Sequence, residues 1–210
     1  MSETHDHDHA PIQDGGGPMS EDELLEGAVR ELLIEKGLFT AADVTRQMEE
    51  MDSHTPADGS RFVAKVWNDP EFRKKALENG KEAAAGIGID TVLSPDLVIL
   101  ENTPELHYVV VCTLCSCYPR AVLGLPPAWY KSANYRSRMV VEPRAVLQEF
   151  GLELPAEVEV RVVDSNADMR YLVVPMRPPG TQGFSEPQLA ELVSRDSMIG
   201  VAQARTPGQS

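Results

Sequence analysis

All three cysteines of this 210-residue chain fall within one hexapeptide, Cys112-Thr113-Leu114-Cys115-Ser116-Cys117. Two cysteines three residues apart can curl around one ion, and a third only two residues further on makes the loop very tight. Three sulfurs then lie on one side of an ion, and the backbone between them is forced close to it. The amide nitrogens of Ser116 and Cys117 become candidate ligands. Deprotonating an amide is costly; divalent zinc would rarely offset that cost, whereas a small trivalent ion could. Three sulfurs and two amide nitrogens leave a sixth position open to water or substrate. Spacing alone leaves two other readings open. A structural zinc site wants a fourth protein ligand, for which His107 is the candidate. The alternative is three apolar thiols buried behind a core strand. An odd, clustered count argues against a complete set of internal disulfides.

Composition narrows the partners. Nineteen basic against 33 acidic residues give a net charge of -14. Nucleic acid and anionic membrane surfaces both need a basic footprint, so neither is an expected partner. No apolar run approaches the roughly 18 residues of a spanning helix, and the acidic N-terminus does not look like a signal peptide. The expectation is a cytoplasmic protein.

The pattern along the chain is α+β. Residues 1–19 are rich in His, Asp, Gly and Pro and read as a disordered tail, in which His5, His7 and His9 suggest weak metal scavenging. Ser20 and Glu23 form a capping box ahead of a helical stripe of Leu24, Leu25, Ala28, Leu32 and Leu33 that Gly37 ends. Thr40 with Asp43 opens a second helix carrying Val44, Met48 and Met51. A short helix ends near Trp67, and Asp69-Pro70 opens another that runs to Asn79 with Gly80 as its cap. Residues 20–80 thus read as a helical arm that contacts a partner subunit. Leu97–Leu100 and Leu106–Val111 read as strands, and the segment 118–135 as an ordered loop. A helix follows from Pro143 to Phe150. Residues 158–164 and 169–175 read as two strands of a hairpin, and Ser185 with Gln188 caps a last helix. Residues 81–201 make up a layered α/β/β/α metal-binding domain on this reading, with 202–210 frayed.

The segment VCTLCSCYP, with LGLPPAWYKSANYRSR behind it, resembles the α subunit of cobalt-type nitrile hydratase. The likeness extends through VAKVWNDPEF, ENTPELHYVVVC, EPRAVLQEFG and DSNADMRYLVVPMRPPGTQGFSEPQLAELVSRDSMIGV, covering about 20–201. Thr113 matches the cobalt form, since the iron form usually carries Ser there. The resemblance implies one trivalent cobalt per chain, with Cys112 as the axial thiolate. It implies that Cys115 is oxidised to a sulfinic and Cys117 to a sulfenic acid. The amides of Ser116 and Cys117 complete the equatorial plane. Cys117, Ser116 and Asp164 carry the catalytic roles, the Cys117 sulfenate acting as nucleophile or as base towards water. Asp168 and Arg170 stand behind the ligands, and Tyr118 with position 120 lines the substrate pocket. The partners implied are β-type subunits, in one chain or two split chains, whose arginines reach the metal loop. A small nitrile is the substrate, and a metallochaperone inserts the cobalt.

Three positions depart from the common pattern: Arg120 and Val163 stand where Trp is usual, and Asp168 where Glu is usual. With the HDHDH tail and the AVRELLIEKGLF stretch, they resemble the γ subunit of thiocyanate hydrolase, which converts thiocyanate to carbonyl sulfide and ammonia with the same metal loop. Arg120 reads either as a guanidinium drawing a polar or anionic substrate or as an interface salt-bridge partner. A reading of a different class is a non-catalytic cobalt carrier.

Overall fold

The computed structural model describes residues 21–92, 94–115 and 117–208. The tail histidines, Ser20 of the first capping box and Ser116 of the metal loop lie outside the described residues. The chain divides into two compact units, Met1–Glu50 and Met51–Ser210. In the first, α1 (Glu21–Glu35) buries none of its residues, leaving Leu24, Leu25, Val29 and Leu32 exposed. Helix α2 (Ala41–Ser53) is opened by Thr40, whose backbone N and hydroxyl donate to Asp43 Oδ2 at 2.9 and 2.7 Å, and it also has no buried residue.

The second unit starts with α3 (Pro56–Asn68), α4 (Pro70–Glu78) and α5 (Gly80–Ala85). Asp69 Oδ1 accepts from the backbone N–H groups of Glu71 and Phe72, the cap expected before Pro70. Phe62, Val63, Val66, Phe72 and Ala76 from these helices enter the main hydrophobic core. The helical arm read over 20–80 therefore gives way at about residue 50, beyond which the helices are core. Gly80 is not a cap that ends α4. Asn79 accepts from Glu82 N and starts α5 at Gly80. A Cβ there would stand 2.5 Å from the Leu97 carbonyl oxygen.

The strands are β1 (Asp96–Glu101), β2 (Leu106–Val111), β3 (Glu159–Asp164) and β4 (Met169–Val174). Between β2 and β3 lie α6 (Arg120–Leu123), α7 (Ala128–Lys131), α8 (Ala133–Val141) and α9 (Pro143–Glu149). The segment expected to be a loop is thus largely short helices. Its prolines set starts and stops, and Ser132 Oγ caps α8 by accepting from Tyr135 N at 3.1 Å. After β4 come α10 (Glu186–Ala190) and α11 (Arg195–Ile199).

The hairpin expected of β3 and β4 does not form. Strand β4 pairs in parallel with β1, and β3 in parallel with β2. Asn166 Oδ1 accepts from the N–H groups of Asp168 and Met169, and that turn sends the chain from one sheet to the other. Val109 to Val111 and Leu172 to Val174 are completely buried. Such unbroken apolar runs belong to strands covered on both faces, the setting of parallel pairs. Helices α4 and α5 pack on β1, α11 on β4, α8 on β2 and α9 on β3, while β2 meets β4 between the sheets. This is the α+β class, in the helix–sheet–sheet–helix layering expected. The C-terminal segment is tied down past 202, where Arg205 N donates to Leu192 O at 2.8 Å.

His107, the candidate fourth ligand of a zinc site, has both ring nitrogens committed elsewhere. Nε2 meets Gly200 O at 2.7 Å and Nδ1 meets Asn102 Nδ2 at 3.1 Å. A carbonyl only accepts, so Nε2 carries the proton and Nδ1 accepts from the amide. Burial holds the His107 pKa below its ordinary value, with the Gly200 carbonyl opposing. The unfolded chain takes up this proton first. Stability should therefore fall as pH drops through about 6.5 towards the lower folded value. Melting temperatures measured between about pH 8 and pH 5 should fall more steeply for the wild type than for His107→Gln; equal slopes would refute this.

Candidate metal centre

The metal loop leaves the end of β2, and the buried Val109–Val111 run fixes where it starts. Cys112 is 1% exposed, directly behind Val111, while Cys115 is exposed and Leu114 at the loop tip is 86% exposed. The three Sγ atoms all lie within 4.8 Å of one another. Cys112 Sγ is 3.5 Å from Cys115 Sγ, which is 3.2 Å from Cys117 Sγ. Cys115 N donates to Cys112 Sγ at 3.3 Å, closing the turn.

The loop is braced from two directions. At the end of β3, the Asp164 carboxylate accepts from Thr113 N at 2.9 Å and from Thr113 Oγ1 at 2.5 Å. Ser165 N donates to Val111 O at 2.8 Å. From the helices beneath, Tyr130 OH donates to Cys117 O at 2.9 Å and Tyr135 OH to Val110 O at 2.7 Å. Arg136 Nη1 donates to Cys115 O at 3.1 Å. Trp129, Tyr130 and Tyr135 pack edge to face or tilted with centroids 4.9 to 5.9 Å apart, which fixes the two hydroxyls in place.

The donor chemistry fits a cation. Burial first, then the Cys115 and Cys112 sulfurs, push the Cys117 thiol up to about 12, with Arg170 opposing. Three sulfurs this close cannot all be thiolates unless a positive ion sits among them, and thiolates are what a metal binds. A fourth side-chain ligand is absent from the cluster among the described residues, which disfavours a closed tetrahedral zinc site.

A cleft of about 410 Å³ opens beside the loop. Cys115, Cys117, Tyr118, Arg120 and Arg170 line it, with Thr91 and Ser94 from the segment ahead of β1. Tyr118 is 3% exposed, and its hydroxyl has no hydrogen-bond partner among the described residues. Arg170 Nη1 donates to the carbonyls of Asn166 and Met169. The structure thus brings together the three cysteines, Tyr118, Arg120 and Arg170, and sets Asp164 behind the loop. Asp168 stays at the β3–β4 turn, where its backbone N donates to Asn166 Oδ1 and its carbonyl accepts from Asp96 N. Its side chain makes no hydrogen bond among the described residues. The sequence reading passed over Tyr135 and Arg136, and it took Thr113 as a family marker without its bond to Asp164. The Ser132 cap and the run SANYRSRMVV were the signal for a helix that would carry Tyr135 and Arg136.

These features define a cysteine cluster that could hold a metal ion, with an adjoining cleft, and the comparisons with known proteins name the chain's family. The family profile described as nitrile hydratase, alpha chain, matches residues 20–202, and the chain belongs to that family. It is 51% identical over 195 residues to thiocyanate hydrolase subunit gamma of Thiobacillus thioparus, covering 88% of this chain and 80% of that one. It is 49% identical over 180 residues to the cobalt-containing nitrile hydratase subunit alpha of Pseudonocardia thermophila, covering 85% and 88%. Among solved structures, a recombinant thiocyanate hydrolase comprising partially modified cobalt centres superposes with a TM-score of 0.84 at 50% identity, covering 90% of this chain and 93% of that one. An Fe-type nitrile hydratase double mutant from Comamonas testosteroni Ni1 gives a TM-score of 0.81 at 40% identity, covering 90% and 94%.

Proposed function

We propose that this chain is the metal-bearing subunit of a hydratase acting on carbon–nitrogen triple bonds, converting a nitrile to its amide. The observation that carries this is the convergence of three sulfurs beside a substrate-sized cleft, with Cys115 and Cys117 in its wall. A non-catalytic carrier would have no use for that cleft. Cys112, Cys115 and Cys117, with the Ser116 and Cys117 amides, would hold one trivalent cobalt. Cobalt rather than iron is supported by Thr113 and by cobalt-containing relatives. When bound, cobalt supplies Lewis acidity that polarises the triple bond. Oxidation of Cys115 to the sulfinic and Cys117 to the sulfenic acid places acceptor oxygens on the loop, with Cys117 as nucleophile or base. Tyr118 and Arg120 would shape the pocket. Asp164 would keep the loop in register, with Asp168 and Arg170 as supporting residues beyond the ligands. The exposed stripe of α1 fits a subunit that works with β-type partners, which would supply further arginines.

A second substrate, thiocyanate, is favoured by the guanidinium groups of Arg120 and Arg170 on one cleft. A unit charge beside a partly screened cation is worth about 1–2 kcal/mol, so an anion gains about tenfold over a neutral molecule. The test assays the assembled complex with acetonitrile, a heteroaromatic nitrile and thiocyanate. In Arg120→Trp, kcat/KM for thiocyanate or a polar nitrile should drop about tenfold relative to acetonitrile. An unchanged ranking would make Arg120 an interface residue. Turnover of thiocyanate alone would select the second substrate, and a cobalt-loaded complex that hydrates none of the three would leave the carrier.

A further inference from the structure

Arg136 is placed differently from the arginine two residues on. Arg138 spends its charge on the carboxylates of Glu142 and Glu149 at the surface. Arg136, two residues earlier on α8, forms no ion pair among the described residues. Its Nη1 instead donates at 3.1 Å to the carbonyl oxygen of Cys115, 21 residues earlier in the chain. Its Nε is shut off from solvent and has no acceptor among the described residues. A guanidinium N–H buried without an acceptor is unfavourable, and such groups mark places where position is kept at the expense of stability. The helix is anchored for this purpose by the Ser132 cap and by buried Tyr135 and Met139.

The oxygen that Arg136 grips belongs to Cys115, whose sulfur lies 3.5 Å from that of Cys112 and 3.2 Å from that of Cys117. Cys115 itself is exposed, and fixing its carbonyl limits the swing of the backbone that carries its sulfur. A charged donor holds a carbonyl about twice as strongly as a neutral one. We propose that Arg136 is a positioning residue for the metal loop, which holds the Cys115 backbone so that its sulfur stays beside those of Cys112 and Cys117. This rests on the metal reading of the loop. It also means that this chain supplies a cationic support of its own, besides any that a partner subunit brings.

The test uses the full complex, coexpressed with its β-type partners in cobalt medium. Three properties are read: cobalt retained under chelator competition, the sulfur-to-cobalt charge-transfer absorption, and the melting temperature. Arg136→Leu should assemble but retain cobalt about tenfold less well or worse, the scale typical of losing a neighbour that orients a ligand. Its absorption bands should shift. Arg136→Lys, which restores a cation, should recover much of both, whereas Arg136→Gln, a neutral donor, should not. If Arg136→Leu fails to assemble, the Lys and Gln variants decide. Equal cobalt retention and equal spectra in those two, or a Leu variant indistinguishable from wild type, would overturn the proposal. A wild-type complex that holds no metal would overturn the metal reading itself and this proposal with it.

Discussion

Replacing Cys112 by Ser should strip the metal from the assembled protein while leaving its fold in place. Cys112 is the most buried of the three cysteines and sits at the junction of β2 and the loop. Its sulfur both receives the Cys115 N–H and lies 3.5 Å from the Cys115 sulfur, so it organises the turn as well as the donor set. A hydroxyl occupies nearly the same space but stays protonated and binds metal poorly. Loss of a neighbour that only orients a ligand lowers affinity about 10–100-fold, and loss of a ligand should exceed that. The expected result is metal content near background by elemental analysis and no detectable turnover, with an unchanged oligomer on size-exclusion chromatography. A Cys112→Ser complex that keeps its metal would show that the ion is held elsewhere.

Gly200→Ala should be the most destabilising single-methyl change in the second unit. Gly200 ends α11 with φ of +91°, in the left-handed region that side chains disfavour. A Cβ built there would stand 2.0 Å from the Tyr108 carbonyl oxygen, which belongs to the backbone of β2 and cannot swing aside. The Gly200 carbonyl also receives the His107 ring, so displacing this residue disturbs a second buried contact. Strain and lost bonding together should cost about 3–5 kcal/mol, a fall in melting temperature of roughly 6–20 °C for a domain of this size. Gly180→Ala offers the comparison: φ is +78° there, but nothing lies within 4 Å of the added methyl. It should lose far less, and equal losses would show that backbone strain alone sets the effect.

The cysteine cluster was legible in the sequence because it is local: three cysteines in six residues bring their sulfurs within reach of one another. The helix starts were legible for the same reason, as Asp69 before Pro70 and Thr40 before Asp43 cap through atoms a few positions away. What was not legible is what depends on distance. The pairing of β1 with β4 and of β2 with β3 is set by two-sided burial, which short valine runs only hint at. Reading Gly80 as a helix end hid a helix start, because the close approach of Leu97 that demands glycine is a tertiary fact. Asp164 was singled out, but its grip on Thr113 crosses 51 residues, and Arg136 lay just past the segment read as a loop, where no element was assigned. Each such residue is defined by what the chain brings to it.

The parallel pairing has a consequence for the order of events in synthesis. Cys112, Cys115 and Cys117 leave the ribosome well before Asp164, Ser165 and the β3 strand that β2 must pair with. Until that later segment arrives, the loop lacks its bonds to Asp164, and closing so long a span is slow compared with forming helices. A nascent chain therefore carries three unshielded thiols and no organised pocket. Once the chain is complete, hydrogen bonds from Asp164, Tyr130, Tyr135 and Arg136 shape the loop without help from an ion. If the loop takes the metal proposed for it, loading would follow folding, the reverse of the small zinc domains that fold around their ion. Delivery would then be to a folded chain, and the interval before it is when the thiols would be most open to the wrong metal.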